Sequence, residues 1–240
     1  MTNKLTQFTI HNSQLTNFAF TLAETLIVMG IIGIVAALTL PNLNNTTGDK
    51  EKVAKVKKVY SNLNDAYGRA QSVYGPSDEW SNTQKWGRLT EFLKLSKDCG
   101  CSYNPNCFKT SSNRVKLDAD VCSGILADGT SIAMPPSDTT DNAIYIDIDG
   151  INKGQNKTAR DIFGFKMEGV DGILPYGNGK FYDGTSTSFK TCDCAGWYND
   201  IPLECTEWVI MYDNMDYLKL NGNGQCPNGV FLSDTNTTCK

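Results

Sequence analysis

Hydrophobic and polar residues follow three successive patterns along the chain, and the first is an apolar run over residues 20–40 in which Glu24 is the only charged side chain. A helix of this length measures roughly 30 Å, the thickness of the hydrocarbon core of a bilayer. The apolar core of a secretory signal is shorter, about 7–15 residues, and a small-residue cleavage site follows it. Here Pro41 and a polar segment follow instead. The run therefore predicts a membrane span rather than a secretory signal or a buried core helix.

The second pattern, beyond Gly48, has the period of an amphipathic helix. Its apolar residues recur at steps of three and four, which places them on one helical face: Val53, Val56, Tyr60, Leu63, Tyr67, Ala70 and Tyr74. Polar residues, among them a run of lysines, occupy the remaining surface of this helix. We interpret the lysines as a solvated face. Gly75-Pro76 stops the helix. The pattern predicts that residues 41–75 are helical and pack onto a sheet, with the polar interval 42–48 as a weak point.

The third pattern, in residues 76–240, is a series of short apolar runs separated by turn signals. These runs lie at residues 123–134, 142–150, 160–177 and 204–220. The first surrounds Asp128-Gly129, which predicts a β-hairpin, the second alternates as a strand does, and the third predicts two strands around Gly169 to Gly172. The fourth fits either a helix or strands. A long helix followed by strands predicts an α+β fold, with the helix packed on an antiparallel sheet.

Composition and charge exclude several classes of function. The 240-residue chain has a formal net charge of −4, whereas nucleic-acid-binding domains are usually basic, so no nucleic acid is expected as a partner. The single histidine, His11, precedes the apolar run, and histidine-based catalysis is not expected beyond it. The sequence has no P-loop, G-x-S-x-G or H-E-x-x-H motif. We therefore predict that the protein is not an enzyme.

The cysteines indicate an oxidising location. All nine follow the apolar run, at positions 99, 101, 107, 122, 192, 194, 205, 226 and 239. The Cys-x-Cys spacing also occurs in zinc sites, but the lack of histidine and the irregular gaps favour disulfides. Neighbours in a Cys-x-Cys cannot easily pair with each other, so each is expected to reach another cysteine. An odd number leaves at least one cysteine free, intermolecular or otherwise occupied.

Residues 147–161 are rich in glycine and in oxygen ligands. Asp147, Asp149, Asn152 and Asp161, together with loop carbonyls, form a candidate calcium site because Ca²⁺ prefers such hard donors. The segment does not meet the EF-hand pattern. The alternative interpretation is a connecting loop in which Asp and Asn side chains cap turns.

The start of the apolar run resembles the signature of the type IV prepilin and type II secretion pseudopilin family. The signature residues 19–24 read Ala-Phe-Thr-Leu-Ala-Glu, and the apolar tract ends at Pro41 with the family's spacing. In that family a prepilin peptidase cuts after a small residue and methylates the new amino terminus, which implies a cut between Ala19 and Phe20. The resemblance also implies that Glu24 pairs with the terminal amine of a neighbouring subunit during assembly. Ala19 replaces the commoner glycine, and the leader is longer and less basic than is usual.

The resemblance implies a domain organisation and a set of partners. Residues 1–19 are the expected leader, 20–40 the transmembrane and assembly half of the long helix, 41–75 its soluble half and 76–240 a β-rich head. A disulfide between Cys226 and Cys239, closing a C-terminal loop like that of many pilins, is the favoured pair. The expected partners are other pilin subunits, the prepilin peptidase, an inner-membrane assembly platform and, before assembly, membrane lipid.

The predicted function is a structural subunit of a type IV pilus-like or type II secretion pseudopilus filament. We expect a single pass of the inner membrane first, then a surface filament or a periplasmic pseudopilus. The lysines at positions 50–58 favour the opposite orientation by the positive-inside rule, whereas the cysteines and the cleavage motif favour export of the head. The alternative is a minor pilin or adhesin at a filament tip, with the aromatic residues of segment 196–208 as a binding patch. Core or interface packing is the commoner role of such aromatics.

Overall fold

The computed structural model describes residues 21–109, 115, 120–135, 142–151, 153, 156–177, 203, 205–221, 225–232 and 236–240, with the backbone alone for residues 36–47 and 82. The chain divides into two compact units, residues 1–46 and residues 47–240. The boundary between them falls within the polar interval 42–48 that the sequence marks as a weak point of the helix.

Helix α1, Leu22–Tyr74, is the longest element of the protein. It ends where predicted, because Gly75 adopts a φ of 77° and Pro76 follows it. A left-handed glycine just past the last turn is a common helix stop, since glycine has no Cβ to clash there. In the part of the chain that the structure describes, no helix combines the length and the apolar character needed to cross a membrane.

The face that α1 buries in residues 47–240 is close to the one its periodicity predicts. Of the seven predicted residues, five are buried and two, Tyr60 and Tyr74, are half-buried against the same core. Val59 and Ala66 are buried as well. They widen the apolar stripe, as expected for a helix that lies on a sheet rather than along one partner helix.

Six strands form one antiparallel sheet in sequence order. The strands are β1 (Leu95–Asp98), β2 (Cys122–Leu126), β3 (Ser131–Met134), β4 (Ala143–Asp147), β5 (Ile162–Glu168) and β6 (Gly172–Pro175). The predicted hairpin at Asp128-Gly129 joins β2 to β3, and the predicted turn from Gly169 joins β5 to β6. The prediction of an α+β fold with an antiparallel sheet is thus confirmed.

Four further elements do not follow from the sequence patterns. Helix α2, Asn82–Thr90, starts at a capping box formed by Ser81 and Gln84. The ambiguous segment 204–220 contains helix α3, Cys205–Tyr212, and a 3-10 turn, Asp216–Lys219. Strand β1 carries largely exposed residues at the edge of the sheet, which explains why no apolar alternation marks it.

The sheet separates two groups of buried side chains. On one side, Ile144 and Ile146 of β4 join the core that also contains the buried face of α1. On the other side, Ala143 and Tyr145 join a smaller core that includes Ile162 and Phe108. This alternation follows from the period of two in a β-strand, and it places Asp147 on the side opposite α1.

The lysine run of α1 faces solvent in part, since the Lys58 side chain is 61% and the Lys57 side chain 40% exposed, but its lysines are also paired. Four of its lysines reach acceptors on other segments: Lys52 and Asp161 Oδ1 at 2.5 Å, Lys55 and the Ile148 carbonyl at 2.6 Å, Lys57 and Asp213 Oδ1 at 2.5 Å, and Lys58 and Asp128 Oδ2 at 3.2 Å. Long lysine side chains can lie along apolar surface and still carry their charge to a polar rim. The helix therefore uses these lysines to hold loops beside the sheet.

Candidate functional site

Glu24 lies in the first turn of α1, where it forms a capping box with Thr21. Its Oε2 atom accepts hydrogen bonds from Thr21 N at 3.0 Å and from Thr21 Oγ1 at 2.9 Å. In return, Glu24 N donates to Thr21 Oγ1 at 3.2 Å. A threonine at the N-cap and a glutamate three residues later satisfy the open donors of a helix start in this reciprocal way. In a single chain the carboxylate therefore has a local structural role.

The capping box was missed at the level of sequence, although its signal is present. The pattern Thr-x-x-Glu directly before an apolar run is a recognised helix start. The family resemblance predicts an assembly role for Glu24, and the capping pattern adds a local structural role. The two roles are compatible, because an exposed capping carboxylate still carries its charge.

The apolar side chains that follow Glu24 are exposed. They include Leu26, Ile27, Val28, Met29, Ile31, Ile32 and Ile34, each more than half exposed. Contiguous apolar surface of this kind marks a site of interaction with protein or membrane. The predicted processing residues Ala19 and Phe20 lie outside the described residues, as do the side chains of residues 36–40 in the predicted span.

The predicted calcium ligands are placed in different surroundings. Asp161 pairs with Lys52 of α1, and Asn152 lies outside the described residues. Asp147, at the end of β4, is fully buried, and its carboxyl group lies beside that of Asp149. Asp149 is half-buried.

The electrostatics of this pair follow from its burial. Desolvation, followed by the neighbouring Asp149 carboxyl, raises the pKa of Asp147 to about 8. Both causes act in one direction, because burial and a nearby like charge each disfavour the ionised form. Among the residues that the structure describes, no group of three or more His, Cys, Asp or Glu side chains is arranged to hold a metal ion. Asp147 and Asp149 are thus two predicted ligands that lie close enough together to interact.

Disulfides link segments of the head. The bonded pairs are Cys99–Cys107, Cys101–Cys122 and Cys226–Cys239. The last is the pair that the family resemblance favours. Cys99 and Cys101, which are neighbours in a Cys-x-Cys, each bond to a different cysteine. Cys205 is also disulfide-bonded, whereas positions 192 and 194 lie outside the described residues.

The aromatic segment 196–208 gives little support to a binding patch. Trp208 is buried in the main core, and its indole Nε1 donates to Asn214 Oδ1 at 3.1 Å. It is therefore a core residue with a satisfied polar atom, the commoner role that the sequence allows. Trp197 and Tyr198 lie outside the described residues.

Comparison with known proteins finds no match. No protein-family model matches the chain, and no curated protein or solved structure matches it either. The function is therefore inferred from the residues of the chain and their geometry.

Proposed function

We propose that the protein is a structural subunit of a pilus-like or pseudopilus filament. On this proposal it is cleaved between Ala19 and Phe20, and it assembles through the apolar start of α1. The observation that carries the proposal is the exposed apolar surface of residues 22–35, in which Glu24 is the only charged residue. Before assembly, membrane lipid covers this surface, and in the filament the same segment of neighbouring subunits replaces the lipid.

Apolar contacts alone give the helix little reason to leave the lipid, because lipid tails are as apolar as the helix itself. Assembly therefore needs an additional, directional contact between subunits. Glu24 can supply that contact by pairing with the terminal ammonium of another subunit. An unpaired carboxylate among apolar helices is costly, and a partner cation removes much of that cost. The pairing therefore fixes the axial position of one subunit against the next.

The head supports the same proposal. The soluble part of α1 forms one side of the main core, so this part of the helix is packed firmly on the sheet. Its disulfides suit a location outside the reducing cytoplasm. Stable attachment of a helix to a disulfide-bonded head is what a filament subunit requires.

The experiment separates charge pairing from helix capping at Glu24. Glu24→Gln removes the charge, but glutamine can still serve as the third residue of a capping box. Glu24→Ala removes both functions. We expect both variants to be processed to the mature mass and both to be absent from sheared filaments, as measured by immunoblot. Normal incorporation of Glu24→Gln would show that pairing is not the role of the carboxylate.

Thr21→Val is the matched control. It removes the hydroxyl that caps the helix and leaves the Glu24 charge in place. Once its mature mass has been verified, this variant should enter filaments. If it is excluded while Glu24→Gln is incorporated, helix capping explains the requirement at this end of α1, and the charge-pairing proposal is wrong.

A further inference from the structure

A groove opens on the outer side of α1, and we call it the basic groove. Its volume is about 460 Å³, and it is lined by side chains within residues 58–69 of α1, residues 92–94 before β1 and residues 126–128 of the β2–β3 hairpin. Leu93 and Leu126 are largely buried and form its apolar inner surface. Pockets with such a surface can receive an apolar side chain of a partner.

The charges that line the basic groove leave it with an excess of positive charge. It has two acidic and three basic side chains. Both acidic side chains pair with a basic one, Asp128 Oδ2 with Lys58 Nζ at 3.2 Å and Asp65 Oδ2 with Arg69 Nε at 3.4 Å. Lys94 is the remaining basic residue. Because the whole chain has a formal net charge of −4, the groove can attract an acidic part of another copy.

The turn between β5 and β6 has the complementary combination of an exposed apolar side chain and negative charge. It comprises residues 169–171, which we call the acidic turn. Val170 is 80% exposed in this turn. Asp171 is exposed beside it, and so is Asp78, whose carboxylate lies against Gly169. The acidic turn thus presents an apolar side chain next to two acidic residues.

The acidic turn is fastened to α1. The Tyr67 hydroxyl donates to the Gly169 carbonyl oxygen, as does Gln71 Nε2 at 3.5 Å. Just after the turn, Ile173 N donates to Asn64 Oδ1 at 3.2 Å. The exposed valine is therefore held in place by hydrogen bonds of its neighbours to the helix. A segment that is already ordered loses little conformational entropy when it binds.

The acidic turn and the basic groove lie on opposite sides of the head. At 3.6 residues per turn, Asn64 and Gln71, which hold the turn, fall on one side of the buried stripe of α1. Asn62 and Arg69 of the groove fall on the other side. The acidic turn joins the last two strands of the sheet, whereas the groove borders the β2–β3 hairpin and the connection to β1. One chain therefore cannot place its own turn in its own groove, but two copies can make this contact.

We propose that the acidic turn of one copy docks into the basic groove of the next copy in the filament. Val170 packs against Leu93 and Leu126, and Asp171 lies toward Lys94. Such a contact joins two different surfaces, so it can continue from copy to copy along a fibre, whereas a contact between identical surfaces closes a dimer. The inference rests on the proposed filament role, for which it names the contact between heads.

The test is photo-crosslinking in filaments sheared from the native host. The full chain carries the photoreactive residue p-benzoylphenylalanine in place of Val170, which is exposed. Irradiation should link it to a second copy, and tandem mass spectrometry should locate the link at residues 92–94 or 126–128. Lys94→Glu in the same chain should reduce the yield of this link by about tenfold, because it places like charges across the contact.

Lys97→Glu is the matched control, because Lys97 is an exposed lysine of β1 outside the groove. It should leave the yield of the link unchanged. If Lys94→Glu does not fold, Asp171→Lys should reduce the yield in its place. Links only to lipid, to another protein or to a different surface of the second copy would overturn the inference, as would a yield that the folded charge variant leaves unchanged.

The same filaments distinguish this inference from the proposed function. Filaments that contain the chain but lack this link would overturn the contact between heads and leave the filament role standing. Absence of the chain from the filaments would overturn both.

Discussion

Lys52 Nζ lies 2.5 Å from Oδ1 of Asp161 and joins the soluble part of α1 to the loop before β5. The Asp161 side chain is 4% exposed and that of Lys52 is 29% exposed. Lys57 makes a contact of the same length with Asp213, but that carboxylate is 66% exposed. The two ion pairs therefore have the same N–O distance but differ in the exposure of the carboxylate to water.

Lys52→Ala should lower the free energy of unfolding by about 2 kcal/mol, because it leaves Asp161 buried without a counter-charge. The value lies below the ~3–5 kcal/mol of fully buried pairs, since water reaches the lysine. Urea unfolding of the full chain in detergent measures the loss. Lys57→Ala, the control on the same helix, should cost about 0–1 kcal/mol. If both variants lose the same free energy of unfolding, burial of the carboxylate does not determine the strength of these ion pairs.

The stability of the protein should fall as pH rises. The pKa of Asp147 is about 8 when folded, above its ordinary value of 3.8, so the folded state binds more protons between these values. The resulting stability is complete below about pH 4 and is lost as pH rises to about 8. Thermal unfolding from about pH 5 to pH 8 measures the decline. Asp147→Asn should remove this pH-dependent part of the stability. If the variant loses stability with rising pH as steeply as the wild type does, other groups are responsible for the decline.

Loss of the Cys226–Cys239 disulfide should destabilise the C-terminal region. The two cysteines are 13 residues apart, and closure of a loop of that size contributes about 3 kcal/mol in the chain-entropy account. The double variant Cys226→Ser, Cys239→Ser should lose this amount in urea unfolding under oxidising conditions. Under a reductant the wild type and the variant should unfold at similar urea concentrations. A difference that persists there would point to the burial of Cys226 rather than to the bond.

Ala19→Leu should leave an uncut precursor, because the prepilin peptidase of the resembling family accepts a small residue before the cut. Intact-mass spectrometry of the protein from its native host reports the amino terminus and its methylation together. Ala19→Gly should be processed as the wild type is. A mature mass in Ala19→Leu identical to the wild-type mass would refute cleavage at this position.

Features that depend on near neighbours could be predicted from the sequence. The buried face of α1, its stop at Gly75 and the hairpin at Asp128-Gly129 follow from helical period, glycine conformation and turn chemistry. The capping box of Thr21 and Glu24 belongs with them, since it spans four residues and has a known pattern. In each case the forces act within a turn or two of the chain.

Features that depend on distant partners were decided by the tertiary structure. The lysines of α1 look like a solvated face in sequence, and only the packing of the helix on the sheet brings Asp161 within reach of Lys52. Similarly, sequence places Asp147, Asp149 and Asp161 in one acidic loop. The pleat of β4 and the chain reversal before β5 then separate them, with Asp147 buried opposite α1 and Asp161 paired with the helix. Periodicity specifies which side chains share a face, whereas desolvation and pairing depend on what the fold places against that face.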